Sequence, residues 1–167
     1  ATGDTPLYQS MAATLVIEDA DGTTSPLTAV VDSGAAWSAM SLATCKRHYP
    51  QHYALMQKTK RRFIDASGNL MPPKGVINLT IHLGECRMTS SVFVFAKLGA
   101  SMLLGTNTLV SHGLVINAHR RLLYTDPDVA KGLSCEVPLE VTVQPARSTA
   151  GMAAVGIPSE VPETAAT

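Results

Sequence analysis

The stretch Val30-Val31-Asp32-Ser33-Gly34-Ala35-Ala36-Trp37-Ser38-Ala39-Met40 decides how the rest of the chain is read. Two β-branched residues lead into an ionisable one, and a glycine follows two positions later. β-Branched side chains favour extended backbone, so Asp32 falls at a strand end, on the boundary between core and cleft. Gly34 permits a sharp turn and the close approach of another backbone or a ligand. Ser33 offers a hydroxyl that can hold the loop to nearby backbone. Together these residues fix a carboxylate at the end of a strand. Asp-Ser-Gly is also ordinary turn composition, so the neighbouring sequence has to separate a plain turn from a catalytic loop.

Outward from Asp32, the chain reads as short strands. Residues 13–18 (ATLVIE) and 27–31 (LTAVV) flank the turn signal Asp21-Gly22 and predict a hairpin ending at Asp32. Ser41 is placed to cap a short helix through Arg47, with Pro50 stopping its extension. Phe63-Ile64 leads into the turn-rich Ala66-Ser67-Gly68-Asn69. Ile77, Leu79, Ile81 and Leu83 then alternate with Asn78, Thr80 and His82, the period of a strand with one buried face. Gly84-Glu85 predicts a turn, residues 91–95 (SVFVF) another strand, and residues 108–112 a short helix. Residues 114–116 and 122–124 are apolar and extended. Six to eight short strands with one or two short helices define an all-β, barrel-like class.

All eight aromatic residues lie at or before Tyr124, whereas five of the ten prolines follow it. Six acidic and two basic residues make that last part acidic, against eleven basic and seven acidic before it. A segment without aromatics and rich in Pro buries little apolar surface to offset its ordering entropy. Residues 1–125 are therefore expected as the folded domain and 126–167 as a Pro/Ala-rich tail or linker, with at most an added edge strand at 137–143 (VPLEVTV). The first residue is Ala rather than Met, which suggests an excised fragment. The balanced charge, 13 Lys and Arg against 13 Asp and Glu, argues against nucleic-acid binding driven by bulk charge. With 46% hydrophobic and 16% charged residues the chain is too apolar to be disordered. No apolar run reaches the roughly 18–20 residues of a bilayer span, and no signal-peptide pattern opens the sequence. No membrane partner is expected. Cys45, Cys86 and Cys135 are odd in number and widely spaced, a poor disulfide framework that points to a reducing compartment. Cys45 and His48 form a C-x-x-H pair without a second pair at zinc spacing, so no metal is expected.

The segment VVDSGAAWSAM resembles the active-site loop of retropepsin-like aspartic proteases, the retroviral and gypsy-like retrotransposon proteases. Residues 102–109 (MLLGTNTL) resemble that family's second signature, in which two apolar residues precede Gly, a variable residue, and Asn or Asp. Between them, FIDASGNLMPPKGVINLTIHLG looks like the flap hairpin and the strand after it. GLVINAHRRLLY looks like the family's terminal strands. The motifs follow one another in order over residues 13–124. The resemblance implies a retropepsin-like acid protease barrel with one active-site Asp per subunit. By it, Asp32 is the catalytic carboxylate and Ser33 locks the two active-site loops across a dimer. Gly34 and Ala35 line the cleft and bond the substrate backbone. Ala66, Ser67 and Gly68 form the flap tip, and Gly105 and Asn107 support the loop from behind. Ser33 stands where many relatives have Thr.

Asp-Ser-Gly occurs once in the chain. Aspartic protease chemistry uses two carboxylates that share one proton, because two like charges about 3 Å apart resist joint ionisation. One acts as general base on water while the other, protonated, polarises the scissile carbonyl. The implied assembly is a homodimer with Asp32 of each copy on a two-fold axis. The implied function is an aspartic endopeptidase, cutting a retroelement polyprotein under flaps that bind an extended peptide. No cofactor is implied. The expected location is the cytoplasm or a retroelement particle, not the secreted space. The alternative is a catalytically silent retropepsin-like module for dimerisation or peptide binding.

The remaining polar residues read more simply. Asp65 is a solvated turn residue, residues 58–62 (KTKRR) a solvated loop, and Trp37 a packing residue. Ser101 and Ser111 lack a Gly-x-Ser-x-Gly context, and no H-E-x-x-H occurs.

Overall fold

The alternation read at residues 77–83 becomes β5 (Gly75–Leu83) in the computed structural model, which describes residues 7–65, 67–145 and 159–161. Its Ile77, Leu79, Ile81 and Leu83 all point into the core. The Gly84 turn, with φ +56°, returns the chain as β6 (Cys86–Phe95), paired antiparallel along its whole length. β1 (Leu7–Glu18) and β2 (Thr24–Val31) form the hairpin expected around Asp21-Gly22, with Leu15 opposite Leu27.

Two further strands close the structure. β3 (Ser38–Ser41) runs parallel to β6, and β7 (Met102–Leu104) runs parallel to β2 and antiparallel to β3. β1 also pairs with β5 through residues 16–18. The order β1-β2-β7-β3-β6-β5 thus returns to β1 as a closed six-stranded barrel. Leu15, Ile17, Met40, Leu79, Ile81, Leu83, Met102 and Leu104 fill it, each no more than 1% exposed. Closure leaves the barrel without an exposed edge strand.

The helices are short. α1 (Leu42–His48) starts where Ser41 Oγ accepts the Thr44 N–H at 3.2 Å, as its sequence predicts. α1 ends before Pro50, as expected, and Pro50 opens a second short helix, α2 (Pro50–Ala54), since the first turn needs no intrahelical N–H. Asp19, buried, accepts from the His52 and Gln51 N–H groups at 2.8 and 3.2 Å and ties α2 to the end of β1. α3 (Thr106–Ser111) follows β7, and α4 (Pro127–Ala130) is another single turn begun by proline, capped by Asp126. No helix among the described residues is long and apolar enough to cross a membrane.

Beyond the barrel, β8 (Leu114–Asn117) and β9 (Leu122–Thr125) form a hairpin. The ordered chain continues past residue 125. The stretch expected at most as an edge strand becomes β10 (Glu136–Pro145), which lies between β1 and β9. Lack of aromatics misled the reading, because a strand flanked on both sides needs ladder partners more than bulky side chains. Leu139 does enter the core.

Two of the three cysteines, expected as unbridged, are joined. Cys86 and Cys135 form a disulfide with their Cα atoms 5.2 Å apart, and Cys45 is the free, buried thiol. The sequence separation of 49 hid the pair, which meets only because β10 returns beside the β5–β6 turn. The inference of a reducing compartment loses its basis. The loop-entropy relation gives this closure about 4 kcal/mol, and measured bridges run at roughly 2–4 kcal/mol. Cys135→Ser should lower the melting temperature by about 10 °C. Calorimetry with and without reductant checks this: unchanged melting in both would show that the bridge does not support the fold.

Candidate active site

The site is built on the junction of β2 and β7. The Asp32 N–H donates to Leu104 O at 3.0 Å, continuing the β2–β7 pairing one step past the strand. The chain then turns at once: the Ala35 N–H donates to Asp32 O at 3.1 Å, and the Gly34 N–H to Asp32 Oδ1 at 2.8 Å. The Asp32 side chain is therefore held by its own loop. A Cβ on Gly34 would stand 3.1 Å from Asp32 Oδ1, a tight contact that would push on the carboxylate. Asp32 is half-buried, Ser33 and Gly34 are exposed, and Ala35 is buried.

α3 braces the loop from behind. The Thr106 N–H donates to Ala35 O at 2.8 Å and the Asn107 N–H to Ala36 O at 3.1 Å. Thr106 Oγ1 donates to Ser33 O at 2.9 Å. Asn107 Oδ1 accepts from the Ser38 N–H at 2.8 Å, and Asn107 Nδ2 donates to Ser91 O at 3.0 Å on β6. Gly105 sits where a Cβ would lie 2.6 Å from the Trp37 carbonyl carbon and 2.9 Å from Ala35 O. The structure thus brings Asp32, Ser33, Gly34, Ala35, Gly105 and Asn107 into one hydrogen-bonded unit.

Sequence reasoning missed a buried hydroxyl chain inside that unit. Ser38 Oγ donates to Asn107 Oδ1 and lies 2.6 Å from Thr108 Oγ1, which in turn lies 2.6 Å from Ser90 Oγ. Ser38 Oγ also accepts the Gly105 N–H at 2.9 Å. Ser38 and Thr108 are fully buried. Buried hydroxyls require partners, but Ser90 and Thr108 lie among other polar residues in the sequence, so only the fold joins them to Ser38. Ser38→Ala strands the buried Gly105 N–H and takes one of Thr108's hydroxyl partners, so it should cost about 2 kcal/mol. Chemical denaturation measures the loss; a change under about 0.5 kcal/mol would mean that the chain does not brace the loop.

The segment expected as the flap forms a hairpin of its own. β4 (Phe63–Ile64) pairs back through the Ile64–Leu70 bridge, and the Met71 N–H donates to Phe63 O at 2.8 Å. Asp65 organises the turn, its Oδ1 accepting the Ser67 and Asn69 N–H groups, each at 2.9 Å. Ser67 and Gly68 are exposed at the tip, Gly68 with φ +83°. Ala66 lies outside the described residues. Phe63 packs on Phe93 at 5.0 Å and Phe95 at 5.2 Å, and Trp37 meets Phe93 edge-on at 5.5 Å. One aromatic cluster therefore links the base of the flap to the segment just past Asp32. Trp37 packs as expected, but Arg61 does not simply face solvent: its guanidinium lies over the Trp37 ring, 4.3 Å from the centroid.

The other candidates separate. Cys45 is buried, and burial pushes its thiol up to about 11, whereas His48 is exposed. Among the described residues no three His, Cys, Asp or Glu side chains converge to hold a metal.

No family model matches the sequence, and no curated protein matches it significantly. Solved structures do match. The retroviral protease-like domain of Ddi1 from Leishmania major aligns at 18% identity and TM-score 0.57, covering 77% of this chain and 93% of that one. A retropepsin-like aspartic protease from Rickettsia conorii aligns at 16% identity and TM-score 0.41, covering 83% and 98%. The EIAV protease, solved with an inhibitor, aligns at 15% identity and TM-score 0.37, covering 66% and 92%. The last two likenesses are too loose to carry an argument. The first, together with the closed barrel, shows that this chain has the retropepsin-like fold of a retroviral protease-like domain.

Proposed function

We propose that the chain is an aspartic endopeptidase, active as a homodimer in which the two Asp32 carboxylates activate one water. The observation that carries this is the Asp32 loop itself. Its carboxylate is oriented by the Gly34 N–H, and its backbone is clamped by Leu104, Thr106 and Asn107. Such bracing is what preorganised catalysis needs, because a carboxylate that wanders loses its rate advantage. The exposure of Ser33 and Gly34 supports a face open to a second copy. The Ser33 hydroxyl is free to bond across that face.

In the dimer one Asp32 takes a proton from water as the water attacks the scissile carbonyl. The other, protonated, donates to the carbonyl oxygen as it becomes tetrahedral. The proton then passes to the leaving amine as the C–N bond breaks. An extended peptide lies between the loop and the flap, paired by backbone hydrogen bonds. Retroelement polyprotein processing is the role that the sequence resemblance favours.

Specific activity tests the assembly. Because active site and interface form together, cleavage of a peptide library per mole of chain should rise with protein concentration, then level off as sedimentation shows complete dimer. It should be blocked by pepstatin. A fully dimeric sample that cleaves nothing would overturn the endopeptidase and leave a silent binding module.

A further inference from the structure

The end of the described chain returns to the flap. β11 (Ser159–Glu160) pairs antiparallel with β4, Ser159 opposite Ile64 and Glu160 opposite Phe63. The Val161 N–H donates to Arg62 O at 2.6 Å. A peptide segment added to a strand edge gains affinity from its backbone and specificity from its side chains. Here the side chain is Glu160. Its Oε2 accepts the Trp37 indole N–H at 2.7 Å, and its Oε1 accepts from Arg61 Nη1 at 2.7 Å. Each carboxylate oxygen thus has its own donor.

The two donors are also held by contacts that do not involve Glu160. Arg61 stacks on the Trp37 ring, and Phe93 fixes that ring from its edge. Trp37 is also part of the clamped segment, since its carbonyl packs against Gly105. A ligand at this point touches both the segment past Asp32 and the first flap strand. The charge pattern matches: residues 58–62 carry four basic side chains, while the chain after Tyr124 is acidic.

We propose that Trp37 and Arg61 form a subsite for the carboxylate of an extended acidic peptide on the edge of β4, and that Glu160 fills it in cis. The proposal rests on the reading of the Asp32 loop and flap as a peptide cleft. It adds a substrate class, peptides bearing Glu at the position that meets Trp37. It also makes the C-terminal segment a competitor for that class.

Trp37 is the only tryptophan, so intrinsic fluorescence reports on this site alone. The test uses the full chain carrying Asp32→Asn, which binds without turnover. Adding Glu160→Gln should shift the Trp37 emission. A blocked peptide of residues 157–162 (IPSEVP) should then reverse the shift saturably, and the same peptide with Gln for Glu should bind at least about ten-fold more weakly. Arg61→Gln should weaken the Glu peptide to a similar degree and leave the melting temperature unchanged. Emission indifferent to Glu160→Gln, or equal binding of the two peptides, would overturn the proposal. The outcomes separate from the fate of the protease reading. Carboxylate-dependent binding in a chain that never cleaves would keep the subsite and remove the peptidase. Asp32-dependent cleavage with no carboxylate preference would do the reverse.

Discussion

Asp32→Asn is expected to lower peptide cleavage by about a thousand-fold or more, with the fold intact. Loss of a positioned general acid–base group alone removes about 10²–10⁴ in rate. Here each substitution changes both members of the pair in a homodimer, so no partial dyad survives. The structural cost is small because the amide oxygen can still accept the Gly34 N–H that Asp32 Oδ1 accepts now. The Asp32 backbone bond to Leu104 O does not involve the side chain at all. Melting should shift by less than about 2 °C. Steady-state cleavage beside a melting curve checks both halves. A variant that melts normally and still cleaves at a tenth of the wild-type rate would show that Asp32 is not the catalytic carboxylate.

Gly105→Ala should be strongly damaging to both stability and cleavage. The added Cβ would stand 2.6 Å from the Trp37 carbonyl carbon, 2.7 Å from the Trp37 oxygen and 2.9 Å from Ala35 O. All three neighbours are backbone atoms of the braced loop, so none can rotate away. Relief requires the loop to move off α3, which breaks the Thr106 and Asn107 bonds to Ala35 and Ala36. The cost should be about 3 kcal/mol, at the upper end for overpacking. That corresponds to a melting temperature lower by about 10 °C. Residual cleavage should fall further than stability alone accounts for, because the displaced loop carries Asp32. Thermal unfolding together with cleavage below the transition measures both. A variant within about 2 °C of wild type would mean that the loop has room the structure does not show.

Much of the barrel was legible in the sequence because β5 alternates and the barrel's other long strands are apolar runs set off by turn residues. β5 follows from a period-two apolar pattern and the β1–β2 hairpin from apolar runs about Asp21-Gly22, while β8 and β9 were visible only as extended apolar segments, not as a hairpin. β3 and β7 were not, since four and three residues are too few to show a period. Both are wholly or nearly wholly buried and recognisable only by their pairing. β10 was underestimated for the opposite reason. It is ten residues long but lacks the bulky apolar side chains that mark a core strand. The active-site loop was legible through Asp32, Gly34, Gly105 and Asn107, whose residue types are themselves constrained by chemistry or close packing. The Ser38–Thr108–Ser90 chain was not, because a lone hydroxyl in sequence carries no sign of its partner. The disulfide and the seat of Glu160 depend on contacts between residues far apart in sequence, which no local pattern records.

The central claim is that one active site needs Asp32 from two copies of the chain. Mixing wild type with Asp32→Asn at constant total concentration, with time for exchange, tests it most directly. If both carboxylates are required, only pairs of wild-type chains cleave, and activity follows the square of the wild-type fraction. An equal mixture then retains about a quarter of the all-wild-type activity. A site complete within one chain would instead retain half, in direct proportion to the wild-type fraction, and that result would contradict the account.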